Sequence, residues 1–242
     1  TLSVKVYGLC AKNSSLENEV ILMGDSIYGA NPPCFDIANI AQTKAKHYIV
    51  SGAFGGTRAA SHNTPSYDAF SFYRLADAIS TGDWTTQDEA AASIDQSYYY
   101  KHLNTLKNTD FSKIKVVTIA YGTNDFTSST LISSDDKYDV STYCGGLRYG
   151  IERIQAVYPN IQLCLISPIF RVFADGDNIV SSDDTIKNGK KLPQVVDAMR
   201  EIAKEYHLPF YDNYWTLGIN IHNWATYLRD KTHPTYIDGI NL

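Results

Sequence analysis

No apolar run in this sequence approaches the roughly 20 residues that a membrane-crossing helix needs, so no helical span is expected. The opening stretch TLSVKVYGLC lacks a clear charged n-region and a sustained apolar core, and no targeting segment is visible in it. Cysteine is scarce: Cys10, Cys34, Cys144 and Cys164 form no CxxC pair, which argues against a disulfide scaffold. Cys164 lies inside an apolar, strand-like run and reads as a small core residue. Neither sign of charge is gathered into a block; 21 Lys+Arg against 26 Asp+Glu leave a net charge of -5. That balance excludes an electrostatic nucleic-acid footprint and a basic membrane-surface patch. HExxH and His-rich clusters are absent, so a metal-dependent hydrolase built from Asp25, Asp125, Asp230 and His233 lacks a recognisable ligand pattern. His47, His62, His102, His207 and His222 stand outside any motif. No metal or other cofactor is expected.

At 242 residues and 27.0 kDa the chain is long enough for one well-buried domain over 1–242, and no composition shift divides it. Residues 1–19 read as an edge strand or arm followed by a loop. The run VILM, Val20 to Met23, is a short apolar strand stopped by Gly24. Gly29, Pro32 and Pro33 oppose a long helix directly after it. A helix is expected around Ile37 to Lys46 and a second strand from His47 to Ser51, breaking into a loop with Gly52, Gly55 and Gly56. Phe72, Leu75, Ala76 and Ile79 give helical spacing over 67–80, with Gly82 as the stop. A further helix is expected over about Gln87 to Leu106. Ile114 to Asp125 contains the clearest strand, continuous and β-branched, as in a sheet covered on both faces. A helix over 139–157, the strand IQLCLISPIF, a helix from Leu192 to Tyr206 and a short strand at Pro209 to Tyr211 complete the alternation. Strand and helix alternating in this way predict an α/β fold with a parallel sheet and helices on both faces. Between them, Arg171 to Gly189 has little periodicity and much turn chemistry, the composition of a lid or substrate loop.

Three of the strands end in polar motifs: Gly24-Asp25-Ser26, Gly122-Thr123-Asn124-Asp125 and, near the carboxyl end, Asp230-Lys231-Thr232-His233-Pro234. Each alone is ordinary turn or capping chemistry. Together, in this order, they resemble the SGNH, or GDSL-type, serine hydrolase family from Val20 to Pro234. The resemblance implies a three-layer, flavodoxin-like sandwich with a central parallel sheet of about five strands. It implies Ser26 as nucleophile and Asp230 with His233 as its partners. It also implies an oxyanion hole from the Ser26 and Gly56 backbone N–H groups and the Asn124 side chain. Gly56 is assigned by position in SGAFGGTR, with Gly52 or Gly55 as alternatives, because Ser51 stands where that block opens with Asn.

The chemistry requires these residue types. A serine hydroxyl is a weak nucleophile until a base takes its proton, and imidazole can take it and later return it. A carboxylate three residues away orients the ring and stabilises its charged form. The nucleophile elbow Gly-x-Ser-x-Gly is absent, since Ile27 and Tyr28 separate Ser26 from Gly29. The resemblance implies ester hydrolysis, and the reading adopted is a small-acyl, O-acetyl esterase acting on a glycan; a lipase or thioesterase and a catalytically idle glycan-binding module are the alternatives. Phe170, Arg171 and Phe173 are candidate substrate-binding residues, and Trp84, Tyr98 to Tyr100, Phe173 and Trp215 candidate sugar-stacking rings. The expected partner is thus a small-molecule or glycan ester.

Overall fold

The computed structural model describes residues 18–29, 37–42, 48–94 and 97–235. The arm expected over 1–19 lies outside these except at Asn18 and Glu19, which open the first strand. Cys10, Cys34, Pro32, Pro33 and His47 also fall outside them.

Seven strands are present among the described residues: β1 Asn18–Gly24, β2 Tyr48–Ala53, β3 Val116–Ala120, β4 Gln162–Ile166, β5 Val172–Asp175, β6 Asn178–Ser181 and β7 Phe210–Tyr211. Five of them form one parallel sheet in the order β2-β1-β3-β4-β7. Helices fill the connections: α1 Ile37–Gln42, α2 Pro65–Asp68, α3 Phe72–Thr81, α4 Thr85–Ala91, α5 Ser97–Lys107, α6 Thr123–Thr127, α7 Tyr143–Val157, α8 Leu192–Glu205, α9 Asn213–Thr216 and α10 Trp224–Tyr227. This is the expected α/β sandwich. Its centre is buried on both faces: Ile21 and Met23 of β1, Val117 and Ile119 of β3 and Leu163 and Leu165 of β4 share one face and are completely buried, and Gly24, Thr118, Ala120 and Cys164 on the opposite face are buried too, as a sheet covered on both sides requires. None of the helices among the described residues is long and apolar enough to cross a membrane.

From β1 the chain moves outward to β2, then returns to place β3 on the other side of β1. The order of connections therefore reverses between β1 and β3. Loops leaving the carboxyl ends of two such strands diverge and leave a crevice, where ligands of open α/β sheets bind. The register sets Gly24 opposite Ala120, so the loops carrying Ser26 and Asn124 start side by side.

Several expected boundaries move. β2 runs on through Gly52 and Ala53, which makes Gly52 a sheet residue paired with Met23 rather than a loop glycine. The helix expected over 67–80 is divided into α2 and α3, with Ala69 to Ser71 between them. The one expected over 87–106 is divided into α4 and α5: tight backbone bonds from Ser93 to Ala90 and from Ile94 to Ala91 close α4, and the Ser93 hydroxyl also donates to the Ala90 carbonyl. The segment 171–189 is not irregular throughout. Its first half is the antiparallel hairpin β5–β6, with Asp175 paired to Asn178 around a two-residue turn. Gly176 takes φ 59 there, the conformation such a turn demands of its first residue.

Candidate active site

Ser26 follows β1 in a single tight turn. The Asp25 carbonyl accepts the N–H groups of Tyr28 and Gly29, and the Asp25 side-chain Oδ1 accepts the N–H of Ile27 at 2.9 Å. Ile27 and Tyr28 then turn into the core. This side-chain turn leaves Ser26 at its apex, half-buried.

The Asp230–Pro234 segment reaches that apex from the opposite end of the chain. His233 Nε2 lies 2.8 Å from Ser26 Oγ, although the two residues are 207 positions apart. On the other side of the ring, Nδ1 lies 2.8 Å from Asp230 Oδ2 and 3.0 Å from Oδ1. Asp230 Oδ1 also accepts the backbone N–H groups of His233 and Thr232 at 2.8 and 3.1 Å. Burial works to raise the pKa of Asp230, but these hydrogen bonds and the facing imidazole outweigh it and hold the carboxyl below its usual value. Between the two residues Lys231 takes φ 70, an uncommon conformation for a side chain of its size. Its carbonyl accepts the Val172 N–H at 3.1 Å, so the base of the β5–β6 hairpin braces the turn.

Gly56 and Asn124 complete the set. The loop after β2 places Gly56 at φ 78, half-exposed, with the Tyr67 ring 3.2 Å from where a Cβ would stand. The three candidate glycines now separate. Gly52 is in β2, and the Gly55 N–H is taken by the Tyr98 hydroxyl at 2.8 Å. The backbone N–H groups of Ser26 and Gly56 have no acceptor among the described residues. Asn124, in the first turn of α6, uses one amide proton on the Thr57 carbonyl at 2.8 Å and retains a second.

Two aspartates of the motifs lie apart from the Ser26–His233–Asp230 line. Asp125 is fully buried, and its Oδ2 and Oδ1 accept the N–H groups of Ala59 and Ala60, both at 3.1 Å. It thereby ties the Asn124 turn to the chain after Gly56. Burial pushes its pKa up to about 6 against those bonds and the Arg58 charge. Asp25 is pushed up to about 7, again chiefly by burial, with the Asp125 charge adding and the Ile27 N–H and Arg171 charge opposing. No group of three or more His, Cys, Asp or Glu side chains able to hold a metal occurs among the described residues.

Of the candidate substrate residues, Phe170 is packed inward, 6.1 Å from the Tyr214 ring. Arg171 lies 4.5 Å over the half-buried Phe173 ring, and its charge faces both Asp25 and Asp230. Of the candidate stacking rings, Trp84, Tyr98 and Tyr99 are buried in the core, while Tyr100 and Trp215 are exposed. Aromatic count could not distinguish these two fates.

An imidazole held between a serine hydroxyl and a carboxylate, at the carboxyl edge of a parallel α/β sheet, is the constellation of serine hydrolases. The chain belongs to the GDSL-like lipase/acylhydrolase family, whose profile matches residues 23–236, and is accordingly a carboxylic ester hydrolase. Among solved structures it is similar to a protein from Lactobacillus plantarum, with 16% identity, 90% of this chain and 89% of that one covered, and a TM-score of 0.61. It is also similar to a possible lipase from Chitinophaga pinensis DSM 2588, with 19% identity, 82% and 68% covered, and a TM-score of 0.53. At these identities the likeness concerns the fold. No curated protein matches the sequence.

Proposed function

We propose that the protein hydrolyses short acyl esters, O-acetyl groups on carbohydrate foremost, through a Ser26–His233–Asp230 triad. Ser26 Oγ attacks the ester carbonyl while His233 Nε2 takes its proton. The tetrahedral intermediate places its negative charge on the former carbonyl oxygen, facing the N–H groups of Ser26 and Gly56 and the second Asn124 amide proton. Collapse breaks the bond to the alcohol oxygen, which receives the proton from His233, and leaves an acyl-enzyme on Ser26. Water then attacks with the same base and frees the acid. Each donor in such a hole is worth about 2.7–4 kcal/mol of transition-state stabilisation.

The observation that carries this reading is the continuous hydrogen-bonded line from Ser26 Oγ through His233 to Asp230, with 2.8 Å at each side of the ring. Two further features favour a short acyl group on a sugar. The Tyr67 ring packs against Gly56, leaving little width beside the oxyanion donor. Trp215 is 57% exposed on α9, a helix whose Asn213 side chain donates to the Tyr28 hydroxyl next to the serine turn, and its ring offers a face for a pyranose. Arg171, at the base of the hairpin, lies over the Phe173 ring and turns its charge toward Asp25 and Asp230.

The test is hydrolysis of p-nitrophenyl acetate by the wild type and by Ser26→Ala, followed by an acyl-length series and acetylated oligosaccharides. Ser26→Ala should lose activity by at least about 10³-fold with its thermal unfolding unchanged. Retained activity would overturn the serine mechanism, and a preference for octanoate over acetate would replace the acetyl ester with a longer acyl chain.

A further inference from the structure

One face of α5 holds the loop that carries Gly56. Tyr98 accepts the Gly55 N–H, Tyr99 donates its hydroxyl proton to the Gly55 carbonyl, and His102 Nδ1 lies 2.8 Å from the Ala53 carbonyl. All three side chains are buried. The Tyr99 ring is completely enclosed, its centroid 5.1 Å from that of Phe54, 5.0 Å from that of Phe70 and 5.0 Å from that of Tyr98. With the ring so confined, the hydroxyl has one place to sit. Gly55 has no room to yield either: a Cβ there would stand 2.5 Å from the Tyr98 hydroxyl oxygen and 3.4 Å from Ser26 Cβ.

The Gly55 carbonyl and the Gly56 N–H are opposite ends of one planar trans peptide and point in opposite directions. Whatever fixes the carbonyl fixes the direction of the N–H. A hydrogen bond received by the carbonyl also polarises the peptide and strengthens the N–H as a donor. We propose that Tyr99 is a positioning residue of the oxyanion hole: through the Gly55 carbonyl, its hydroxyl aims the Gly56 N–H at the oxygen that becomes negative. This rests on the reading of Gly56 as an oxyanion donor. Tyr98 has a different part, because the N–H it accepts belongs to the preceding peptide, whose carbonyl end, at Phe54, is already held by the Thr57 hydroxyl at 2.7 Å.

Tyr99→Phe keeps the ring and removes the hydroxyl. It should lower kcat on p-nitrophenyl acetate about tenfold with KM within about twofold, a fraction of the 10²–10³ that loss of a whole donor costs. The discriminating readout is the rate ratio of this ester to O-p-nitrophenyl thionoacetate, whose carbonyl sulfur accepts hydrogen bonds more weakly. A misdirected donor hurts the oxygen ester more, so the ratio should fall about fivefold in Tyr99→Phe. Both substrates meet the same active molecules, so a lowered folded fraction leaves the ratio unchanged. Tyr98→Phe, which also leaves a buried group without its partner, should lose stability but keep the ratio within about twofold. Gly56→Ala, strained at φ 78, should reduce the ratio by itself. If Gly56→Ala reduces it and Tyr99→Phe does not, the donor reading stands and the Tyr99 assignment is overturned. An equal fall in Tyr98→Phe would make the effect general loosening of the loop and overturn it as well. If neither Gly56→Ala nor Tyr99→Phe moves the ratio, Gly56 is not a donor and both readings fall.

Discussion

Asp25 and Asp125 are both buried carboxyls whose pKa values are raised mainly by burial, yet replacing each by Asn should have opposite effects. Asp25 has one backbone donor, the Ile27 N–H, and an asparagine oxygen can accept the same bond. What Asn removes there is the cost of holding a charge in the core. Between the ordinary value of 3.8 and about 7, the native state keeps a proton that the unfolded chain has released. Stability therefore falls as pH rises through that window, and the loss is complete above it. Asp25→Asn should raise Tm by about 3 °C or more at pH 8 and by much less at pH 4, by thermal unfolding at the two pH values. An equal shift at both would mean that the carboxyl is not the titrating group. At this scale the motifs marked Ser26, Asn124, Asp230 and His233 as candidates, because such groups have few chemical substitutes and their order is informative, and the structure brings Ser26, His233 and Asp230 into one hydrogen-bonded line. They said nothing of Tyr98, Tyr99 or His102, whose task is to hold a backbone, and a tyrosine that holds a peptide looks in sequence like any core tyrosine.

Asp125 acts between elements. It leaves α6 to accept two N–H groups, each on its own oxygen, from Ala59 and Ala60 after the Gly56 loop. Asparagine has one oxygen for those two donors and would turn an NH2 group toward the other. Leaving a buried N–H unsatisfied costs about 1–3 kcal/mol. Asp125→Asn should therefore lower Tm at pH 8 and also reduce kcat, since the loops bearing Gly56 and Asn124 are then joined chiefly by the Asn124 bond to the Thr57 carbonyl. A Tm equal to or above that of the wild type would show that relief of the buried charge outweighs the lost acceptor. The elements themselves were legible in proportion to their regularity. β3 and α8 follow continuous or strictly periodic patterns and fall where expected. The break between α4 and α5 depends on local hydrogen bonds of Ser93, and an apolar period cannot register it. The β5–β6 hairpin escaped notice because its strands have only four residues each, too short for alternation to stand out, although Gly176-Asp177 is a recognised two-residue hairpin signal.

Across the whole molecule, strand–helix alternation predicted the sheet, and the motif order placed the site at its carboxyl edge. How firmly each part of the site is held depends instead on packing. Ser26 and Asn124 project from adjacent central strands of the sheet, β1 and β3. The Asp230–His233 turn belongs to a segment, residues 221–235, in which Leu228 alone is buried. Besides that side chain, backbone bonds hold the turn: Arg229 N–H to the His233 carbonyl, Thr235 N–H to the Tyr227 carbonyl, and Val172 N–H to the Lys231 carbonyl. Removing the anchor should release His233, the proposed base and acid, while the sheet stays folded. Truncating a buried leucine costs about 2–5 kcal/mol, and here the loss falls on a segment whose other apolar contacts with the core, those of Trp224 and Tyr227, are only partly buried. In Leu228→Ala, esterase activity should decline at a lower urea concentration than the far-UV circular dichroism signal. In the wild type, the two should be separated less. Coincident transitions in the variant would mean that the turn is as firmly part of the cooperative unit as the sheet, and that its backbone bonds, not Leu228, hold it against the serine.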